Sequence, residues 1–206
     1  MVLSTRIKIC GITNAEDAAH CSRLGAHYLG FIFYPQSLRA ISPQSAAQII
    51  STLPGSVTPV GVFVNAARES ILETVNIAGI RIIQMSGDET PDDCGGYDIP
   101  VWKAFRFRNI YDVPRAADYR IDACVIDGAP DGIYGGSGTM ADTSVALELK
   151  GIHPLMLAGG LNPENIADAV RKVMPFGVDV NSGVEQYPGK KNPEKVESLF
   201  KALTLL

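Results

Sequence analysis

Eight short runs rich in β-branched and aromatic residues recur along this chain, each followed by a longer stretch of mixed polar and apolar residues. That alternation limits the fold more than any other feature. The runs are RIKIC (6–10), YLGFIF (28–33), TPVGVFV (58–64), IRIIQ (80–84), PVWKAFR (100–106), ACVID (123–127), PLMLA (154–158) and GVDV (177–180). They begin about 24 residues apart, the length of one strand, one helix and two tight loops. Helices are predicted over 14–25, 43–53, 66–79, 141–150, 162–173 and 192–203. Asn14, Asn162 and Asn192 suit N-caps, Pro163 and Pro193 the first helical position, and Gly25 and Gly79 left-handed helix ends. Gly, Pro and Asp break any helical period at 88–99 and 107–120, so irregular connections are expected there.

Repeated strand–helix units predict an α/β fold, a (β/α)8 TIM barrel formed as a single domain by residues 1–206. With 46% hydrophobic residues the chain can bury one sizeable core. An open doubly wound sheet is the structural alternative, but the GxGxxG fingerprint is missing after the first strand. The formal charge of −4 and the lack of a Lys/Arg cluster argue against nucleic acid as a partner. No segment has the roughly 20 apolar residues of a membrane helix, and the first residues lack a signal peptide's apolar run and cleavage site. Cys10, Cys21, Cys94 and Cys124 form no CxxC pair, so neither a zinc ribbon nor a disulfide scaffold is indicated. The expectation is a soluble cytoplasmic protein with reduced thiols, a monomer or homodimer acting on a small molecule.

In a barrel, catalytic groups stand at the C-terminal strand ends and in the loops just after them. That rule places Cys10 after strand 1, Arg39 after strand 2, Asp127 after strand 6, Gly159 and Gly160 after strand 7, and Ser182 and Gly183 after strand 8. Strands 6, 7, 8 and 1 are consecutive in a closed ring, so Asp127 and Cys10 flank whatever binds above strands 7 and 8. The glycines of GGLNPEN (159–165) and the small residues of NSGVE (181–185) let backbone N–H groups approach an anion, with a helix start beside them. Phosphate is the expected occupant. Gly135, Gly136 and Gly138 of IYGGSG are expected to line the same pocket.

Arg39 offers a planar fork for a carboxylate, on the far side of strand 1 from the phosphate loops. Asp127 is the candidate general acid and Cys10 the candidate base. Each has a plainer reading: a surface ion pair, a loop cap, a small buried hydrophobe. A thiol with an ordinary pKa near ~8.5 works as a base near neutrality where a cation or helix N-terminus lowers that value. His20, His27 and His153 lie away from the strand ends, and their spacing indicates no metal site.

Six ordered motifs then carry a resemblance: KICGIT (8–13), GFIFYPQSLRAIS (30–42), VGVFVN (60–65), the strand ending in Asp127 with GGSG (135–138), AGGLNPENI (158–166), and GVDVNSGVE (177–185) followed by PGKK (188–191). Along nearly its whole length the chain resembles the phosphoribosylanthranilate isomerase family. The resemblance implies a step of tryptophan synthesis, the Amadori rearrangement of N-(5′-phosphoribosyl)anthranilate to 1-(2-carboxyphenylamino)-1-deoxyribulose 5-phosphate. It implies that Asp127 protonates the furanose oxygen, that Cys10 removes the C2 proton, that Arg39 holds the anthranilate carboxylate, and that no cofactor takes part. Two positions depart from the family pattern. QMSG (84–87) stands where Gln-Leu-His-Gly is usual, and Ala141, Asp142 and Thr143 stand where Phe-Asp-Trp is frequent. Two further readings remain: a related barrel acting on another aminated ribose phosphate, where Asp is expected in place of Cys10, and a non-catalytic phosphate-binding barrel.

Overall fold

Strand alternation sorts the apolar residues into two sets. Val60, Ile82, Trp102, Ala104, Ala123, Val125, Met156 and Ala158 form one buried cluster, while strand residues such as Leu29, Ile126, Leu155, Leu157 and Val178 belong to a larger one with helix residues. Both faces of every strand are therefore buried, one against the barrel axis and one beneath the helices. The computed structural model describes residues 5–107, 109–127 and 142–206. Gly135, Gly136 and Gly138 lie outside the described residues.

The strands are β1 (Arg6–Ile9), β2 (Tyr28–Ile32), β3 (Thr58–Phe63), β4 (Ile82–Met85), β5 (Val101–Phe105), β6 (Ala123–Ile126), β7 (Leu155–Leu157) and β8 (Gly177–Val180). All pair in parallel with their sequence neighbours, and β8 closes on β1 to complete the barrel. Tyr28 and Trp102 meet edge to face at 5.0 Å within the ring. Burial of each large side chain on the axis, such as Val60, Ile82 or Met156, contributes roughly 1.5–3 kcal/mol.

The helices are α1 (Ala15–Arg23), α2 (Pro43–Ile50), α3 (Arg68–Ala78), α4 (Thr143–Lys150), α5 (Ile166–Val173) and α6 (Pro193–Thr204). Asn14 and Asn192 cap α1 and α6, accepting from the N–H groups of Asp17 and Lys195. Gly79 ends α3 at φ +74°. Asn162 does not cap a helix. Its side chain accepts from Glu164 and Asn165 N–H in a turn, and α5 starts only at Ile166. The connections expected to be irregular are so: β4 to β5 has no α-helix, and β5 to β6 runs through a 3-10 helix at Ile110–Asp118. A hairpin of β9 (Glu185–Tyr187) and β10 (Lys190–Lys191) follows β8, an element the sequence pattern did not reveal. It folds back beside the barrel mouth.

Candidate functional site

β1 ends at Ile9 and β6 at Ile126, which leaves Cys10 and Asp127 one residue beyond their strands. Backbone hydrogen bonds keep both in line with the ladder: Cys10 N–H donates to the Val180 carbonyl at 2.9 Å and Asp127 N–H to the Phe105 carbonyl at 3.3 Å. A cavity of about 370 Å³ opens over the strand ends, lined by both residues and by Arg39, Gly159, Gly160, Ser182 and Gly183. Seven of the expected site residues thus share one wall-to-wall space.

The two small-residue turns press against each other. Gly159 and Gly160 have φ of +85° and +59°, a bend that side-chain-bearing residues rarely adopt. A Cβ at Gly183 would sit 1.9 Å from the Leu161 carbonyl oxygen, backbone against backbone. Gly183→Ala is therefore expected to part the turns and raise KM for a phosphorylated substrate roughly tenfold, equivalent to about 1.4 kcal/mol. Steady-state kinetics, with inorganic phosphate as competitor, reads this effect. The start of α5 lies farther from the cavity than the sequence suggested, because the Asn162 turn intervenes and uses the Glu164 and Asn165 N–H groups itself.

Arg39 does not stand alone. It reaches across β1 to Glu185, with Nε at 2.9 and 3.1 Å from the two carboxylate oxygens and NH2 at 2.6 Å from Oε2. Glu185 also accepts from Lys191 Nζ at 3.1 Å and from Gly189 N–H at 3.1 Å. Burial works against the Glu185 carboxylate, but Arg39 and Lys191 outweigh it and hold its pKa below the ordinary value. Lys191 reaches Asn181 Oδ1 at 3.0 Å as well. The backbone leaves room for this assembly at Gly11, φ +72°, where a Cβ would meet Asn181 Oδ1 at 2.6 Å and Arg39 Cδ at 2.9 Å.

Two buried acceptors on the cavity wall have no protein hydrogen bond among the described residues, Gln84 Oε1 and Asp179 Oδ1. A buried acceptor left unpaired costs about 1–3 kcal/mol. Hydroxyl or N–H groups of a ligand would satisfy both. Ser86, in the position where the family pattern has His, lines the cavity and accepts from Gln84 Nε2 at 3.2 Å. Arg106 lines it too, and ties down the loop after β4 by donating to the Ser86 carbonyl at 2.9 Å and pairing with Asp88 at 2.7 Å. Beneath that loop, Lys103 and Glu89 form a buried ion pair at 3.1 Å.

Sequence reasoning missed Lys8, Gln84, Arg106, Asp179, Glu185 and Lys191. The signal for Lys8 and Asp179 was present in the strands: each occupies an axis-facing position by simple alternation. Among the described residues no group of three His, Cys, Asp or Glu is placed to hold a metal ion, and no helix is long and apolar enough to cross a membrane.

A closed ring of eight parallel strands that gathers a carboxyl group, a thiol and two small-residue turns around one cavity at its mouth defines a (β/α)8-barrel. The family model described as N-(5′-phosphoribosyl)anthranilate (PRA) isomerase matches residues 7–202, and the chain belongs to this family. An N-(5′-phosphoribosyl)anthranilate isomerase of Citrifermentans bemidjiense is 45% identical over 196 residues, covering 95% of each chain. The crystal structure of phosphoribosyl anthranilate isomerase from Thermus thermophilus matches with TM-score 0.90 at 37% identity, covering 98% of this chain and 99% of that one. A phosphoribosyl anthranilate isomerase solved with reduced 1-(o-carboxyphenylamino)-1-deoxyribulose 5-phosphate matches with TM-score 0.87 at 40% identity, covering 98% of this chain and all of that one.

Proposed function

We propose that the chain isomerises N-(5′-phosphoribosyl)anthranilate to 1-(2-carboxyphenylamino)-1-deoxyribulose 5-phosphate, with Asp127 as general acid and Cys10 as general base. The observation that carries this reading is one cavity lined at once by Cys10, Asp127, Arg39 and both small-residue turns, in a chain of this family. The phosphate lies against Gly159, Gly160, Ser182 and Gly183. Arg39 takes the anthranilate carboxylate. Glu185 already engages Nε and NH2, so the edge formed by NH1 and the second NH2 proton meets the ligand, and the Glu185 fork holds the guanidinium plane still.

Asp127 donates its proton to the furanose oxygen as the C1–O bond breaks and the nitrogen lone pair forms the C1=N bond of a Schiff base. The Cys10 thiolate then takes the C2 proton, and the electrons of that C–H bond move into C1=C2 while the C=N pair returns to nitrogen. Ketonisation of the resulting enolamine places a proton on C1 and a carbonyl at C2. The substrate's own nitrogen accepts and returns the electrons, so the sequence of steps balances without a redox partner. Acid and base each contribute about 10²–10⁴-fold, on the order of general acid–base catalysis elsewhere.

Incubation with phosphoribosylanthranilate, followed by loss of its fluorescence, tests the activity. Turnover is expected, and its absence in folded protein would sink the proposal. Arg39→Ala is expected to raise KM by more than it lowers kcat, which removal of a ligand-holding cation produces and removal of a proton-transfer group does not. The free thiols of Cys10, Cys21, Cys94 and Cys124 suit a reducing compartment, and the cytoplasm is the proposed location.

A further inference from the structure

Beneath the cavity floor lies a charge that the steps above do not use. Lys8 precedes Cys10 by two residues on β1 and so faces the barrel axis on the same side, and it is fully buried. The axis around it is otherwise built from Val60, Ile82, Trp102 and Met156. The register sets Lys8 opposite Asp179 on β8, and its Nζ donates to Asp179 Oδ2 at 2.8 Å. On the other side, residue 30 of β2 is glycine. A Cβ there would stand 2.7 Å from Cys10 Sγ and 3.1 Å from Lys8 Nζ, so the thiol and the ammonium share the space that Gly30 leaves open.

We propose that Lys8 is a positioning residue for the isomerisation, anchored by Asp179 and admitted by Gly30, which fixes Cys10 Sγ and stabilises its thiolate. The inference rests on the reading of Cys10 as the base. A buried ion pair such as Lys8–Asp179 is expensive to desolvate, and two apolar side chains in its place are commonly as good or better for stability. A role in making an anion beside it accounts for the charge. The groups facing Cys10 are Lys8 on its own strand, Asp179 on β8, Lys191 on β10, Asp127 across the cavity, and the apolar Ile32 and Val62. Burial pushes the Cys10 thiol up, Lys8 pulls it down, Asp179 pushes it up, and Lys191 pulls it down, with the balance above the ordinary value. For Lys8 itself, burial works against the charge, but Asp179 and Cys10 outweigh it and keep the ammonium. The thiolate is costly in this pocket, and Lys8 is the group that does most to lessen the cost.

The test is the pH dependence of Cys10 alkylation by iodoacetamide in wild type and Lys8→Met, with Cys10→Ser as the background for the other thiols. The midpoint is expected to rise by about one pH unit or more, which lowers the rate at a fixed pH roughly tenfold. The kcat for phosphoribosylanthranilate is expected to fall by a similar factor with a smaller change in KM. Where Lys8→Met alone fails to fold because Asp179 is left unpaired, Lys8→Met/Asp179→Asn removes both charges and the upward shift is still expected. A folded variant with an unchanged alkylation midpoint overturns the proposal. If wild type turns over no phosphoribosylanthranilate yet Lys8 still governs alkylation, the isomerase reading fails and the coupling of Lys8 to Cys10 stands.

Discussion

Asp127→Asn is expected to lower kcat by about 10²–10⁴-fold, the usual worth of a positioned proton donor, with KM and the fold little changed. The amide keeps the shape of the carboxyl group at the end of β6 but has no acidic proton for the furanose oxygen. The backbone at 127 stays anchored, because its N–H donates to Phe105 whichever side chain is present. Cys10→Ala is expected to cause a loss of the same order, at the later step. Asp127 acts before the Schiff base and Cys10 after it, so the double variant should lose much less than the product of the two factors. Fluorescence-monitored turnover measures the rates, and inhibition by inorganic phosphate shows whether the site is intact. Unchanged turnover in both single variants would overturn the acid–base assignment. A parallel loss of phosphate affinity would instead point to collapse of the mouth.

The barrel was legible because each strand is buried on both faces and therefore reads as a compact apolar run, and because eight such runs recur at one spacing. Strand ends were then enough to bring Cys10 and Asp127 to one cavity, since parallel strands in a closed ring all finish at the same rim. Local signals succeeded where the cap chemistry was local, as at Asn14 and Asn192. At Asn162 the same residue type served a turn, and only the path of the chain after β7 decides between the two uses. The β9–β10 hairpin was hidden because strands of three and two residues carry no readable alternation. Arg39 and Glu185 are 146 residues apart in sequence. No local pattern announces such a pair. Lys8 is the instructive case: period-two alternation already placed it inward beside Cys10, and a lysine on a barrel axis was itself a signal.

Glu185→Ala is expected to be strongly destabilising, lowering stability by about 3–5 kcal/mol, because removing one member of a buried ionic cluster leaves the rest uncompensated. Arg39 and Lys191 both depend on this carboxylate, and Gly189 N–H donates to it as well. For a chain of this size the loss corresponds to a fall in Tm on the order of 10 °C. Glu185→Gln retains the shape and part of the hydrogen bonding and isolates the charge. Because the folded-state pKa of Glu185 is depressed, its contribution is fully present above the ordinary carboxylate value of about 4.3 and is lost as pH falls through the folded value. Denaturant titrations across pH should therefore show the stability gap between wild type and Glu185→Gln closing on the acid side. A gap independent of pH would mean that the carboxylate's charge is not what holds the cluster. The same variant reaches the ligand through Arg39. With the fork weakened, the guanidinium loses its fixed plane, and KM is expected to rise while Cys10 and Asp127 keep kcat near its original value.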